Sequence, residues 1–319
     1  MIAYLDMERF PAFLERHFGT DAQRSSRIVG VDRTFESWYI DIARFFGTNG
    51  IDPVEISVAY SDGMFQLSDP LIREFAAFVE SELRAQGRLY DGPSAMRLVD
   101  FNFHRSNPIL MVQEARYADQ CANFAMDLSH PPLFAQWGGS LRDYLYATIP
   151  SHAPEDNPLC LCFGVCGLLL VEDGNQRYIL QVMRSSRLAS LENSIGPSVA
   201  GSVDFDTTSR SIAELIINSL AKEVTEELGL NDGEFSITPL AYAREIFRGE
   251  RPQLFAVVTT PLDRKEIARR LDSLPECDRE FSTYDFLPLT NMRLSSDLVA
   301  SMNFEAKMAY YLLEEWLSK

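Results

Sequence analysis

The chain has 319 residues, 46% of them hydrophobic, and a formal net charge of −17. That length is long for one core and predicts about two domains, each with enough apolar residues to bury its own interior. The acidic balance excludes a broad phosphate-tracking surface for nucleic acid, though not a small nucleotide held by a bridging cation and a few arginines.

In chain order, apolar spacing predicts amphipathic helices over 1–18 and 36–46, a strand over 54–60 and a helix over 71–86. Strands over 96–103 and 108–114 and a helix over 117–128 then complete an expected α+β domain of residues 1–155. The polar, proline-rich run Ser151-His152-Ala153-Pro154-Glu155-Asp156-Asn157-Pro158 marks its end. From there, 159–171 and 178–183 read as strands joined by a turn at Asp173-Gly174. A loop around Gly201 leads to a helix over 211–228, strands over 235–242 and 254–259, a helix over 263–274, a strand over 282–287 and a closing helix over 296–316. This order predicts an α/β domain over 156–319, with a mixed sheet between helices.

The longest apolar run, 159–171, is shorter than the roughly 20 residues a bilayer requires, so no membrane partner is expected. The N-terminus lacks a basic segment followed by an apolar one, and the five cysteines form no paired framework, which together predict a cytoplasmic setting. Cys160, Cys162 and Cys166 share parity and are expected on one strand face. With no histidine or further cysteine at zinc spacing after them, they read as buried small hydrophobes rather than metal ligands. His17, His104, His130 and His152 are scattered, and neither a nucleophile-elbow serine nor a Gly-x4-Gly-Lys loop occurs.

The segment Lys222-Glu223-Val224-Thr225-Glu226-Glu227-Leu228-Gly229-Leu230 carries the chemistry. On a helix, Glu223, Glu226 and Glu227 fall within about 100° of one another, because each residue advances about 100°. Ile217, Ala221, Val224 and Leu228 form an apolar stripe expected to face the core, and Gly229 supplies a left-handed stop. Three neighbouring carboxylates repel one another, and a cation such as magnesium, which takes oxygen ligands, relieves that repulsion. A solvated acidic face is the plain alternative.

This region resembles the Nudix box, Gly-x5-Glu-x7-Arg-Glu-U-x-Glu-Glu-x-Gly-U with U a bulky aliphatic residue. Glu214, Glu223, Val224, Glu226, Glu227, Gly229 and Leu230 stand at the required spacing, whereas Thr208 replaces the first glycine and Lys222 the arginine. An alternative alignment makes Gly201, within Ser198-Val199-Ala200-Gly201-Ser202-Val203, the family glycine, with an insertion before the helix and Glu214 matching by accident. Lys222 keeps the positive charge but not the planar fork with which arginine grips a carboxylate.

The resemblance implies a Nudix α/β/α sandwich over residues 156–319, with a separate N-terminal α+β domain. It further implies that Glu223, Glu226 and Glu227 ligate Mg2+ or Mn2+ and that one of them acts as base. Arg184 and Arg187 follow the second strand near the place where such enzymes meet phosphate, and arginine suits that contact; surface charge after a strand is the equal alternative, with Arg184 the favoured candidate because it ends the strand. Arg244, Glu245 and Arg251 flank Phe247-Arg248-Gly249-Glu250, a loop able to close over substrate, although for Glu245 a solvent-facing loop charge is the favoured reading. Glu276, Asp278, Glu280 and Asp285 lie where a late catalytic carboxylate sometimes stands, and none is singled out. Leu89-Tyr90-Asp91-Gly92-Pro93 is similar to a segment in the N-terminal extension of long Nudix proteins, whose expected role is shaping the substrate pocket or mediating homodimer contacts. The expected function is a metal-dependent pyrophosphohydrolase acting on a nucleoside diphosphate-linked or related diphosphate small molecule. The alternative is a weak or inactive Nudix domain acting as a nucleotide-binding sensor or scaffold.

Overall fold

The computed structural model describes residues 28–30, 38–89, 92–103, 105–149, 151–186, 188, 191, 193–275, 279–289 and 301–319. Among them the main sheet is built from β1 (Ile28–Gly30), β2 (Trp38–Arg44), β6 (Gly164–Asp173), β7 (Gln176–Arg184), β8 (Ile195–Gly196), β9 (Val199–Ser202), β10 (Ser236–Glu245), β11 (Arg251–Thr260) and β12 (Phe281–Pro288). Its order is β1-β2-β10-β11-β6-β7-β12, with β8 on β7 and β9 on β6. The β6–β11 pair is parallel and the other pairs antiparallel, which makes the sheet mixed. A parallel pair needs cover on both faces, and these two strands are the most continuously apolar in the chain. On β6, Val165, Leu169 and Val171 enter one core while Cys166, Leu168 and Leu170 enter the other, the period of two expected of a central strand.

Helices α4 (Ile212–Leu228) and α5 (Arg264–Ser273) pack on the first face and α6 (Phe304–Leu317) on the second. The expected layering of a mixed sheet between helices is therefore present. A second, smaller sheet, β3 (Ser57–Met64), β4 (Ala95–Phe101) and β5 (Ile109–Ala115), has the order β3-β5-β4. It packs with α1 (Pro70–Ala85), a 3-10 helix over Tyr117–Ala125, and the short helices α2 (Pro131–Phe134) and α3 (Leu141–Thr148).

The first half of the chain does not stand apart from the second. Strand β2 pairs with β10, Ala43 opposite Tyr242 and Tyr39 opposite Glu245. One hydrophobic core holds Phe75, Leu98 and Leu110 together with Leu169, Leu220 and Val224. Bridges Ala95–Asp204 and Arg97–Cys162 add backbone links between the halves.

Several local expectations change. Residues 38–44 form β2 rather than a helix, because Trp38-Tyr39-Ile40-Asp41-Ile42 favours a pleated surface once a partner strand is available, and Tyr39, Ile40 and Ala43 become buried there. Residues 117–125 wind as a 3-10 helix, and the last helix begins at Phe304. Cys160 and Cys162 precede β6 and sit in their own small cluster, their sulfurs 3.4 Å apart, while Cys166 lies within the strand; all three are buried. The helix expected over 1–18 lies outside the described residues.

Helix α4 forms for local reasons. Ser211 accepts the Glu214 N–H at 3.2 Å, and the Glu214 carboxylate accepts the Arg210 N–H at 2.7 Å, a reciprocal cap of the capping-box kind. Glu214 is thereby occupied at the helix start. Gly229 ends the helix at φ +65°. The buried stripe runs through Ile216, Leu220, Val224 and Leu228, and Ile217, expected to face the core, is 39% exposed. Among the described residues no helix is long and apolar enough to cross a membrane.

Candidate active site

Strand β9 runs antiparallel to β6 and α4 lies across it, so side chains on one face of α4 meet the β9 backbone. Gly201 is the point of contact. A Cβ built there would lie 2.1 Å from Glu223 Oε1 and 2.2 Å from its Cδ, so only glycine lets this carboxylate lie against the strand. One turn on, Glu227 Oε2 accepts the Ala200 N–H at 3.3 Å, while Oε1 is buried without a hydrogen-bond partner among the described residues.

A third carboxyl comes from far along the chain. Ser185 N–H donates to the Glu280 carbonyl at 2.8 Å, which ties the residue preceding β12 to the end of β7. The Glu280 carboxyl lies within electrostatic reach of Glu227 and Glu223. Burial, followed by the nearby Glu280, pushes the Glu223 carboxyl up to about 7. Burial, then Glu280 and Glu223, hold Glu227 well above the usual carboxylate range, against the pull of Arg184 and the Ala200 N–H. Glu280 is raised as well, by burial, with Arg184 opposing. These carboxyls repel one another in a poorly solvated place, an arrangement concentrated at functional sites.

Of the box carboxylates, Glu223 and Glu227 turn inward and Glu226 is exposed. Lys222 does not grip any of them: it pairs with Asp204, which with burial opposing raises the ammonium pKa. Among the described residues no group of three or more His, Cys, Asp or Glu side chains stands ready to hold a metal ion.

Glu223 and Glu280 open onto a cavity of about 360 Å³, lined also by Gly201, Arg184, Arg248 and Arg251. Tyr117 and Phe124 of the 3-10 helix, with Arg88, Leu89, Gly92 and Pro93, form another wall, so the first half of the chain helps to build the site. Tyr90 and Asp91 lie outside the described residues, as do Arg187, Glu276 and Asp278. Arg184 ends β7 and carries a buried Nε without a partner among the described residues.

Arg244 and Glu245 are not loop charges facing solvent. Arg244 is 1% exposed and pairs with Asp41 at 2.5 Å and Glu250 at 3.0 Å. Glu245, 0% exposed, pairs with Arg248, which also reaches Glu305. The turn between β10 and β11 is buried because other side chains take its carbonyls: Arg142 donates to Ile246 and Phe247, Asn123 to Arg248 and Asn157 to Gly249. Arg142 is itself fixed by Asp127 at 2.6 Å. No short sequence pattern announces these partners, which lie about a hundred residues from the turn.

No protein-family model matches the chain, and no curated protein matches it. Among solved structures, DR0079 from Deinococcus radiodurans matches at 19% identity over 48% of this chain and 82% of its own, with a TM-score of 0.32. A mutT/nudix family protein from Listeria innocua matches at 12% identity over 49% and 94%, TM-score 0.34. A C. elegans Ap4A hydrolase matches at 12% over 49% and 98%, TM-score 0.30. At these TM-scores the likeness carries no argument about what this chain does.

Proposed function

We propose that the protein is a metal-dependent hydrolase that cleaves a phosphoric anhydride bond in a nucleoside diphosphate-linked or related diphosphate small molecule. The observation that carries this reading is the inward-facing group Glu223, Glu227 and Glu280, of which Glu223 and Glu280 line the cavity, with Glu227 Oε1 buried and unpartnered among the described residues. Such carboxyls ionise together only against mutual repulsion, and their oxygens are the donors that Mg2+ and Mn2+ accept. The donor chemistry suits a divalent cation, to which this reading assigns Glu223, Glu227 and Glu280 with exposed Glu226 as a further donor, although these carboxyls do not already stand as a group of three around one point. When bound, the cation supplies neutralisation of charge building on phosphoryl oxygens. The resemblance of Lys222–Leu230 to the Nudix box points the same way.

The chain's own groups have separable parts in this scheme. Arg184, within electrostatic reach of Glu227, Glu280 and Glu305, orients a phosphoryl group through its planar fork. A carboxyl of the glutamate group that is ionised at neutral pH accepts the proton of the attacking water. Tyr117 and Phe124 exclude water and contact the rest of the ligand.

The test is release of nucleoside monophosphate from dinucleotides, nucleotide sugars and nucleoside triphosphates with Mg2+ or Mn2+. Glu223→Gln and Glu227→Gln should each lower turnover by about 100-fold or more, as expected when a group stabilising developing charge is lost, with the fold retained. Full turnover in a folded variant carrying both changes would sink the reading. Lys222 paired away from the glutamates favours a second one, a nucleotide-binding sensor, and tight nucleotide binding without turnover would establish it.

A further inference from the structure

Arg251 lines the same cavity as Glu223 and Glu280. Arg251 opens β11 and is 4% exposed, yet much of its hydrogen-bonding capacity is idle. Nη1 donates to Gln253 Oε1 at 3.1 Å, whereas Nε is buried and meets no acceptor among the described residues. Glu245 and Glu305 stand 3.9 and 3.8 Å from Nη1, beyond hydrogen-bond reach, because Arg248 holds both carboxylates.

Arg248 lines the same cavity, and so does Arg184, the third guanidinium in electrostatic reach of Glu305. Arg248 and Arg251 face Glu245 and Glu305, while Arg184 also faces Glu227 and Glu280, so the charges are matched and what is left over is the unused donor edge of Arg251. A lysine so placed would shed its proton, but an arginine does not. The strain is visible at Arg251, whose affinity for its proton is lowered by burial and then by Arg248. Burying a donor without an acceptor is costly, and an oxyanion delivered into the cavity supplies that acceptor.

We propose that Arg251, backed by Arg248, is a binding residue for a phosphoryl group of the ligand. The ligand is then a small phosphorylated metabolite, in keeping with a cavity of about 360 Å³, near the lower end of ligand-site sizes. The subsite stands on the arginines alone; only its assignment to a substrate rests on the hydrolase reading.

The full-length protein, kept in EDTA, is titrated with inorganic phosphate while the arginine Nε–H resonances are followed by NMR and the affinity by calorimetry. The Arg251 resonance should move saturably, Arg251→Gln should weaken phosphate binding about tenfold, and Glu223→Gln should not weaken it. An Arg251 resonance that stays still, or a folded Arg251→Gln that binds phosphate as the wild type does, would overturn the subsite. The resonance is read in the wild-type protein, so the test survives if the variant does not fold. Absence of hydrolysis on every substrate would defeat the hydrolase reading and leave this titration unaffected.

Discussion

Gly201 matters for the side chain it lacks. Its Cα is the floor on which the Glu223 carboxylate rests, and Gly201→Ala places a methyl 2.1 Å from that oxygen. A carboxylate displaced by about 1 Å costs roughly 100-fold in rate when it serves the chemistry, so we expect that loss in Gly201→Ala. Thermal unfolding should show a smaller penalty, about 1–3 kcal/mol, since the Glu223 side chain can swing aside. Unchanged turnover would mean that Glu223 does not act from this position. At this scale the sequence was legible where the signal was local. Helical spacing groups Glu223, Glu226 and Glu227 alike, and only the packing of α4 on β9 turns the first and last inward and leaves Glu226 exposed, whereas Glu280 arrives through the pairing of β12 with β7, a register that no short pattern encodes. Arg244 and Glu245 misled for a related reason, because a charged turn reads as exposed unless Arg142, Asn123 and Asn157 are known to cover it.

Helix α4 is the element best specified by its own residues, since Ser211, Glu214 and Gly229 fix both ends without help from elsewhere. Ser211→Ala should cost about 1 kcal/mol in chemical denaturation, the usual value of an N-cap. Where α4 ends, Arg270 of α5 donates to the Gly229 carbonyl at 2.9 Å and grips Glu234 at 2.8 and 3.1 Å. That grip, then the Asn231 N–H, lowers the Glu234 carboxyl from 4.5 to about 2. The unfolded chain takes up this proton first as pH falls, so the contribution is present above pH 4.5 and is lost on descending toward about 2. The melting-temperature gap between wild type and Arg270→Ala should accordingly narrow across that window, and a constant gap would refute the linkage. Strand β2 is the opposite case from α4. Its residues carry both helical and alternating patterns, and only β10, from the other half of the chain, decides between them.

For the whole molecule, the layering of residues 156–319 could be read from element order, but the dependence on residues 1–155 could not. That dependence consists of contacts between halves: β2 on β10, a common core, and a cavity wall from Tyr117 and Phe124. Removing residues 1–155 should therefore leave a fragment without a cooperative thermal transition, measurable by calorimetry. A fragment melting sharply at the parent temperature would instead restore the two-domain expectation.

The ion pair between Asp41 of β2 and Arg244 of β10 joins residues 203 positions apart, and this separation has a consequence for biosynthesis. At about 5–20 residues per second, a ribosome that has delivered β2 takes roughly 10–40 s to deliver its partner strand. Through that interval β2 has only the three-residue β1 beside it, and its other edge, where Tyr39, Ile40 and Ala43 face β10 in the finished protein, stays unpaired. The nascent chain thus carries a strand with one apolar edge open until β10 emerges, and its yield in a cell depends on what shields that edge meanwhile.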